Sequence, residues 1–479
     1  MSLTKVTNSM IQGSWINVFD YMTPAEISAV SSGTGANVTV AIKAAVNAAA
    51  TNGTVYFPSG LYICDPIVWN VGGNPALSNK TFIGASAAFP GGYQASPAQQ
   101  TRIVASGANA VFWLVNYAHR FTMQNMVLDG NGVSDIVLQL QQGCTKQTYT
   151  NVWFVNATPA TGILTYLGDP VINVQVDMIE FNNCGWRQPD FAGCLNAIKL
   201  QQTNTFLITF RRCIISDASI TILLRGVDSI NIEKCEFGFI NYGIFVQGNT
   251  NGLKIVDCYS ESSGTVAFLT YSDQVYGPVK AHVFERNTIQ GSTGNTVVID
   301  PKVPFSFRNN LLANASGYIQ VNAEVVGQYT APIIQNNVFK NSETGINDLS
   351  GKAICNNNTA NGVALTDTNY ATYSQGTWSP TAGAGLTVVG AFTSSGTWTR
   401  IGRQVTISGT VTGATSVAVT AAGVITNNLP FTAGTAGHGS GTNAANTAFA
   451  SVICTTTNVT SAGAIAATAT ITFSATYFV

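Results

Sequence analysis

FRRCIIS at 210–216 returns as IEKCEF at 232–237 and again as IVDCYS at 255–260. Each phrase is an apolar residue, two polar ones, a cysteine, then apolar residues. Outward from this core it continues with Asn or Asp in place of Cys. It reads TMQNMVL at 122–128, TYTNVWF at 148–154, VQVDMIEF at 174–181, FERNTI at 284–289, FRNNLL at 307–312, IQNNVF at 334–339 and ICNNN at 354–358. The key position falls at Asn125, Asn151, Asp177, Cys213, Cys235, Cys258, Asn287, Asn310, Asn337 and Asn357, in steps of 20 to 36 residues. A β-rich unit of this length cannot bury its own apolar face but can stack on its neighbour, which is the signature of a solenoid. No helical pattern separates the repeats, so an all-β parallel β-helix is expected from about 120 to 360.

Composition agrees. Charged residues make up 9% of the chain, against about 25% in an ordinary soluble domain. Yet there are 24 Phe, 16 Tyr and 7 Trp, enough large apolar side chains to argue against disorder. The net charge of −1 and the scattered Lys and Arg propose no phosphate-binding stripe, so nucleic acid is not an expected partner. No run of 18 apolar residues predicts membrane insertion, and MSLTKVTNSMIQG has no signal-peptide core. The protein is therefore expected to be made in a cytoplasm and to leave, if it leaves, by another route. Of the nine cysteines, Cys213, Cys235 and Cys258 share one phase and are expected to stack as small apolar residues. Cys184 and Cys194 bracket a loop and are the one pair placed to bridge in an oxidising space.

At the start, YMTPAEISAVSSGTG at 21–35 carries a cap, a first-turn proline and a capping box in Thr23, Pro24 and Glu26. VTVAIKAAVNAAA at 38–50 predicts a helix with Ile42, Ala45, Val46 and Ala49 on one stripe. Such a helix suits the exposed end of a β-helix as a lid. Excess length is expected in side loops at 90–100, 182–196 and 271–279. From Ala371 to Val479 the only charged side chains are Arg400 and Arg403, and short alternating strands predict a β-sandwich. So little charge fits burial against copies of itself, an oligomerisation domain. The expected division is a leader at 1–35, the β-helix at 36–370 and the sandwich at 371–479.

VTVAIKAAVNAAATNGTVYFPSGLY at 38–62 resembles the opening of pectate-lyase-like right-handed parallel β-helix proteins, bacteriophage tailspikes among them. LTKVTNSMIQGSWINVFDYMTPAEI at 3–27 resembles the head-proximal leader of phage tailspike and tail-fibre proteins. GTWSP at 376–380 and GTWTRIGRQVTISGTVTG at 396–413 are similar to the distal modules that close phage fibres. The resemblance implies a homotrimeric virion protein attached to the tail or baseplate through its leader. It also implies binding, and often cleavage, of a bacterial surface polysaccharide. No family-specific catalytic signature accompanies it, because active sites vary within this fold, so the resemblance supports the architecture more than the chemistry.

Strand alternation places the residue three before each key position, the key residue and the one two after it inside. Glu180, Asp217, Glu236 and Glu261 are then outward acids on successive coils and form the candidate catalytic set. Glu236 and Glu261 lie one coil and two residues apart, about 8 Å between α-carbons from a 4.8 Å strand spacing and a ~6.6 Å rise. Carboxyls about 5 to 9 Å apart are what glycoside hydrolysis uses, one protonated and one ionised. The competing reading makes these acids surface groups paired with Arg211, Arg212 or Lys234. Candidate sugar contacts are Trp186, Arg187 and Asp190 from the 182–196 loop, with Tyr242, Tyr259 and Tyr271 extending the surface. Arg225 and His282 are further candidates for anion contact or acid–base work. His119, His282 and His438 are too far apart in the coil count to make a metal site, and neither a phosphate loop nor a dinucleotide fingerprint occurs, so no cofactor is expected. An endoglycosidase leads; a lyase of the same fold and a non-cleaving receptor-binding fibre are the rivals.

Overall fold

A computed structural model describes residues 15–479 apart from 71–74, 88–98, 170–174, 189–192, 202–203, 263–265, 271–279, 292–296, 300–303, 314–318, 323–330, 341–345, 349–352, 362, 365–372 and 402–403. The chain divides into two compact units, the first reaching to about residue 365 and the second comprising chiefly residues 366–479. The first is a right-handed parallel β-helix, as the repeat predicts. Each coil contributes strands to three faces, and each interior row is continuous. On the first face the row runs Phe210, Ile232, Ile255, Phe284, Phe307, Ile334, each opposite the next in register. The second face follows with Ile215, Phe237, Ser260, Ile289, Leu312 and Phe339. The third carries Ile198, Ile222 and Ile244, and further along Val297 and Ile319. Aromatic rings stack within the lumen, Phe181 on Phe210 at 5.1 Å and Tyr149 on Phe181 at 4.8 Å.

The first and second faces join at a corner whose backbone sits in the left-handed region. Asn125, Asn151, Asn183, Arg212, Lys234, Asp257, Arg286, Asn309, Asn336 and Asn357 all have φ between 51 and 57°. Asparagine tolerates this conformation and is the commonest choice here. Before the corner, N–H groups donate to the following coil (Lys234 N to Val256 O, 3.0 Å); beyond it they donate to the preceding one (Glu236 N to Cys213 O, 2.8 Å). The residue just inside the corner is caught at that reversal, and the next coil's side chain accepts its N–H. Cys213 N meets Cys235 Sγ at 3.4 Å, Cys258 N meets Asn287 Oδ1 at 2.9 Å, and Asn310 N meets Asn337 Oδ1 at 2.9 Å. The inward amides also bond to one another, Asn287 to Asn310 and Asn310 to Asn337, each at 3.0 Å.

This ladder corrects the phase of the repeat at four coils. Asn125, Asn151 and Asn357 are corner residues, and the inward positions are Met126, Val152 and Asn358. In the fourth coil the inward residue is Cys184, not Asp177, because Tyr149 pairs with Phe181 and Phe181 with Phe210. Adjacent asparagines and apolar occupants hid the true position. All nine cysteines are buried and unbridged, Cys184 and Cys194 included.

At the head of the coil, Thr23 and Glu26 cap helix α1 (Pro24–Ser32) with a reciprocal capping box. Helix α2 (Thr39–Ala48) buries Ala41, Ile42, Ala45 and Val46. The buried Lys80 ammonium donates to Val46 O at 2.9 Å and to Ala49 O, so a cation closes the negative end of the helix.

The second unit is a nine-stranded antiparallel sheet that curls around its own core. Gln404–Val419 alternates up to Gly413, breaks at Ala414 and Thr415, and bends at register shifts between Thr412 and Val419. Those shifts let the sheet curl over onto itself and enclose Val405, Ile407, Val452, Ile471 and Phe473, matching the expected sandwich arrangement.

Asn310 tests the ladder. Replacing it with Ala strands the Asn287 N–H, and a buried orphan costs about 1–3 kcal/mol. Thermal unfolding should fall by several degrees in Asn310→Ala but shift little in Asn309→Gly, its corner neighbour. Equal effects would contradict the ladder.

Candidate active site

Glu236 begins the strand Glu236–Gln247 immediately after the corner, and Glu261 lies on the strand Tyr259–Ser262 one coil on. Both are exposed, and both lie on the outside of the second face. Glu236 stands opposite Tyr259, and Gly238 stands opposite Glu261. The two acids are thus offset by one coil and two residues, which sets their α-carbons about 8 Å apart. Between them Gly238 offers no side chain. A Cβ there would lie 3.2 Å from that of Ser216, so the glycine leaves a notch walled by Ser216, Glu236 and Glu261.

Tyr259 closes the notch from above. Its hydroxyl faces Gln290 Oε1 at 3.1 Å and Glu261 Oε2 at 3.4 Å. Desolvation, then the negative charges of Glu261 and Glu236, hold the phenol above its ordinary pKa, so it remains a proton donor to these oxygens. Below the notch, Asp217 Oδ2 accepts from Arg187 Nε at 3.0 Å and from Ser216 Oγ at 3.1 Å. Asp217 is therefore committed to an ion pair and positions Ser216 and Arg187. Glu236 has no counter-ion among the described residues, and Arg211 is engaged elsewhere.

The other candidates separate from this wall. Glu180 sits on the first face because the inward position of its coil is Cys184, four residues later. There it shares Arg211 with Glu233, each contact at 3.3 Å. Trp186 is fully buried, contrary to the expectation of an exposed sugar platform. It occupies the interior row opposite Ile215, stacks on Phe154 at 5.3 Å, and donates from Nε1 to Thr165 Oγ1 at 2.8 Å. Asp177 is buried and accepts from Gln175 at 3.0 Å. Tyr242 and Arg225 lie on the third face, Tyr242 half-buried with its ring 5.5 Å from Phe245. Asp190 and Tyr271 fall outside the described residues. The wall residues that sequence reasoning missed are Ser216, Gly238 and Gln290. The alternation rule alone puts Gln290 outward beside Glu261, so that one was recoverable.

His282 is also corrected: it is fully buried and reaches no surface. Its Nδ1 accepts from Leu253 N at 3.2 Å, and burial pushes its pKa down to about 4 from 6.5. The unfolded chain binds the extra proton between those values, so stability is complete above pH 6.5 and lost as pH falls toward 4. The full swing is roughly 3 kcal/mol. His282→Gln should flatten the dependence of the unfolding temperature on pH across that window; an unchanged slope would show that other groups carry it.

No protein-family model matches the chain, and no curated protein matches it significantly. Solved structures do. The Dettilon tailspike protein matches with a TM-score of 0.52 at 10% identity, over 97% of this chain and 94% of its own. The tailspike of Acinetobacter baumannii bacteriophage Fri1, a capsular polysaccharide depolymerase, matches at 0.41 and 11% identity over 98% and 86%. PfbA, a surface adhesin of Streptococcus pneumoniae, matches at 0.40 and 11% identity over 72% and 91%. At these identities the likeness is one of fold.

Proposed function

We propose, for a chain that shares the β-solenoid fold of phage tailspike proteins, that it binds and depolymerises a bacterial surface polysaccharide as an endoglycosidase. The supporting observation is the notch at Gly238, with Glu236 and Glu261 exposed on one wall and their α-carbons about 8 Å apart, a spacing from which the carboxyls can reach the separation that two-carboxylate glycoside hydrolysis uses. Roles follow from their partners. Tyr259 faces Glu261 and orients it either to take a proton from the water that attacks the anomeric carbon or to attack that carbon itself, water then hydrolysing the glycosyl ester. Glu236, free of a counter-ion among the described residues, gives its proton to the leaving glycosidic oxygen. The glycan rests in the notch, where the absent side chain of Gly238 admits the ring, and Ser216 and Gln290 offer polar contacts to its hydroxyls. We further propose that the protein is a homotrimer carried on a phage tail, joined to it through the leader, with the nearly charge-free second unit buried between copies.

Glu236→Gln should lower the rate of glycan cleavage at least about 100-fold while leaving adsorption to the host surface intact. Glu261→Gln should behave likewise, and Glu180→Gln should cleave at the normal rate. Cleavage unaffected by either wall substitution would contradict the assignment. An unsaturated, ultraviolet-absorbing product would reassign the chemistry to elimination.

A further inference from the structure

The third face carries a second polar wall that the carboxylate pair does not use. Its outer rows run through Tyr166, Lys199, Leu223 and Phe245, and through Gln201, Arg225 and Gln247. Lys199 and Arg225 are offset by one coil and two residues, the same spacing that separates Glu236 from Glu261, about 8 Å between α-carbons. Two cations are therefore set side by side. Lys199 is half-buried, its ammonium 4.8 Å from the centre of the Tyr166 ring, and Arg225 is exposed. Tyr166 itself is fixed by its hydroxyl donating to Gln201 Oε1 at 3.2 Å.

Neither cation forms an ion pair among the described residues, whereas Arg102, Arg187, Arg211, Lys280 and Arg286 do. Other cations without one, such as Arg212 and Lys234, are exposed, whereas Lys199 is half-buried against the Tyr166 ring. Desolvation, then repulsion from Arg225, already lowers the pKa of Lys199, so the arrangement works against the free protein. A half-buried ammonium beside a guanidinium is relieved by an anion that touches both. Two coils from Lys199 and one from Arg225, the half-buried ring of Phe245, with Tyr242 stacked beside it, supplies flat apolar surface, and Gln201 and Gln247 supply amides. Ring surface, amides and a cation pair together fit a sugar that carries a negative group. The carboxylate wall repels such a group, so the charge must be held elsewhere.

We propose that Lys199 and Arg225 form a binding subsite for the carboxylate of an acidic sugar, with Gln201 and Gln247 contacting its hydroxyls. Arg225 grips the carboxylate with two parallel N–H bonds and Lys199 acts as a point charge behind it. The polymer acted on is then an acidic polysaccharide. That last step rests on the glycan-cleaving reading above; the anion site does not.

Titration with D-glucuronate, followed by NMR line broadening, tests the subsite without cleavage. Glucuronate is expected to bind in the millimolar range and glucose not at all. Arg225→Gln and Lys199→Gln should each weaken glucuronate about tenfold, the size expected for one charge-assisted contact. Arg286→Gln, an exposed cation on another face, should leave it unchanged. Arg225 is exposed, so its variant folds even if Lys199→Gln uncovers Tyr166. Equal binding of glucose, glucuronate binding unaltered in Arg225→Gln, or no binding at all would overturn the subsite. So would inorganic phosphate binding tighter than glucuronate, which would mark a phosphate site. Loss of cleavage in Glu236→Gln without glucuronate binding would refute the subsite and keep the hydrolase; binding without cleavage would do the reverse.

Discussion

Every coil of this rod must solve the same problem, a backbone N–H left at the point where the direction of hydrogen bonding reverses. A buried N–H without an acceptor costs about 1–3 kcal/mol, and the debt recurs at each corner. From the Cys213 coil to the Asn337 coil the inward Asn or Cys of the following coil meets it, as Asn310 does for Asn287 and Cys235 for Cys213. Sulfur accepts weakly, so the cysteine stretch is the softer part of the ladder, whereas each inward amide also donates to a carbonyl and to its neighbour. Because the acceptor sits one coil away, a slip of register by a single residue would empty the whole row. The corner therefore fixes stacking as firmly as the hydrophobic lumen does.

Fixed register is what turns a repetitive scaffold into a specific surface. Glu236, Tyr259, Glu261 and Gln290 come from three coils and reach one wall only because Glu236 faces Tyr259 and Glu261 faces Gln290. The same offset repeated on the third face brings Lys199 and Arg225 together with opposite charge. A rod with few charged residues thus presents an acidic wall and a basic wall on different faces. A glycan of alternating character could be read by both.

The repeat made the fold legible, since apolar and turn residues recur at coil length whatever loops intervene. The Cys213, Cys235 and Cys258 coils were phased correctly because a buried polar-capable residue is flanked by charged neighbours there. Alternation from those anchors placed Glu236 and Glu261 on one side. Trp186 failed because a long loop was credited with the whole of 182–196, when Gly185–Arg187 continues the interior row. His282 failed for a related reason: a titratable side chain was taken to face solvent, while its coil holds it inside as a neutral acceptor for Leu253 N. Lys199 and Tyr166 carried no repeat signature of their own, and only the register of three coils shows that they meet Arg225.

A paired-cysteine experiment measures that register directly. Residues opposite each other on neighbouring parallel strands have α-carbons near 4.8 Å, within disulfide range. Glu236→Cys combined with Tyr259→Cys should oxidise to a bridge found by peptide mapping, while Glu236→Cys with Ser260→Cys should not, because position 260 points into the lumen. A bridge in the second variant and none in the first would show the strands out of register and dissolve the shared wall.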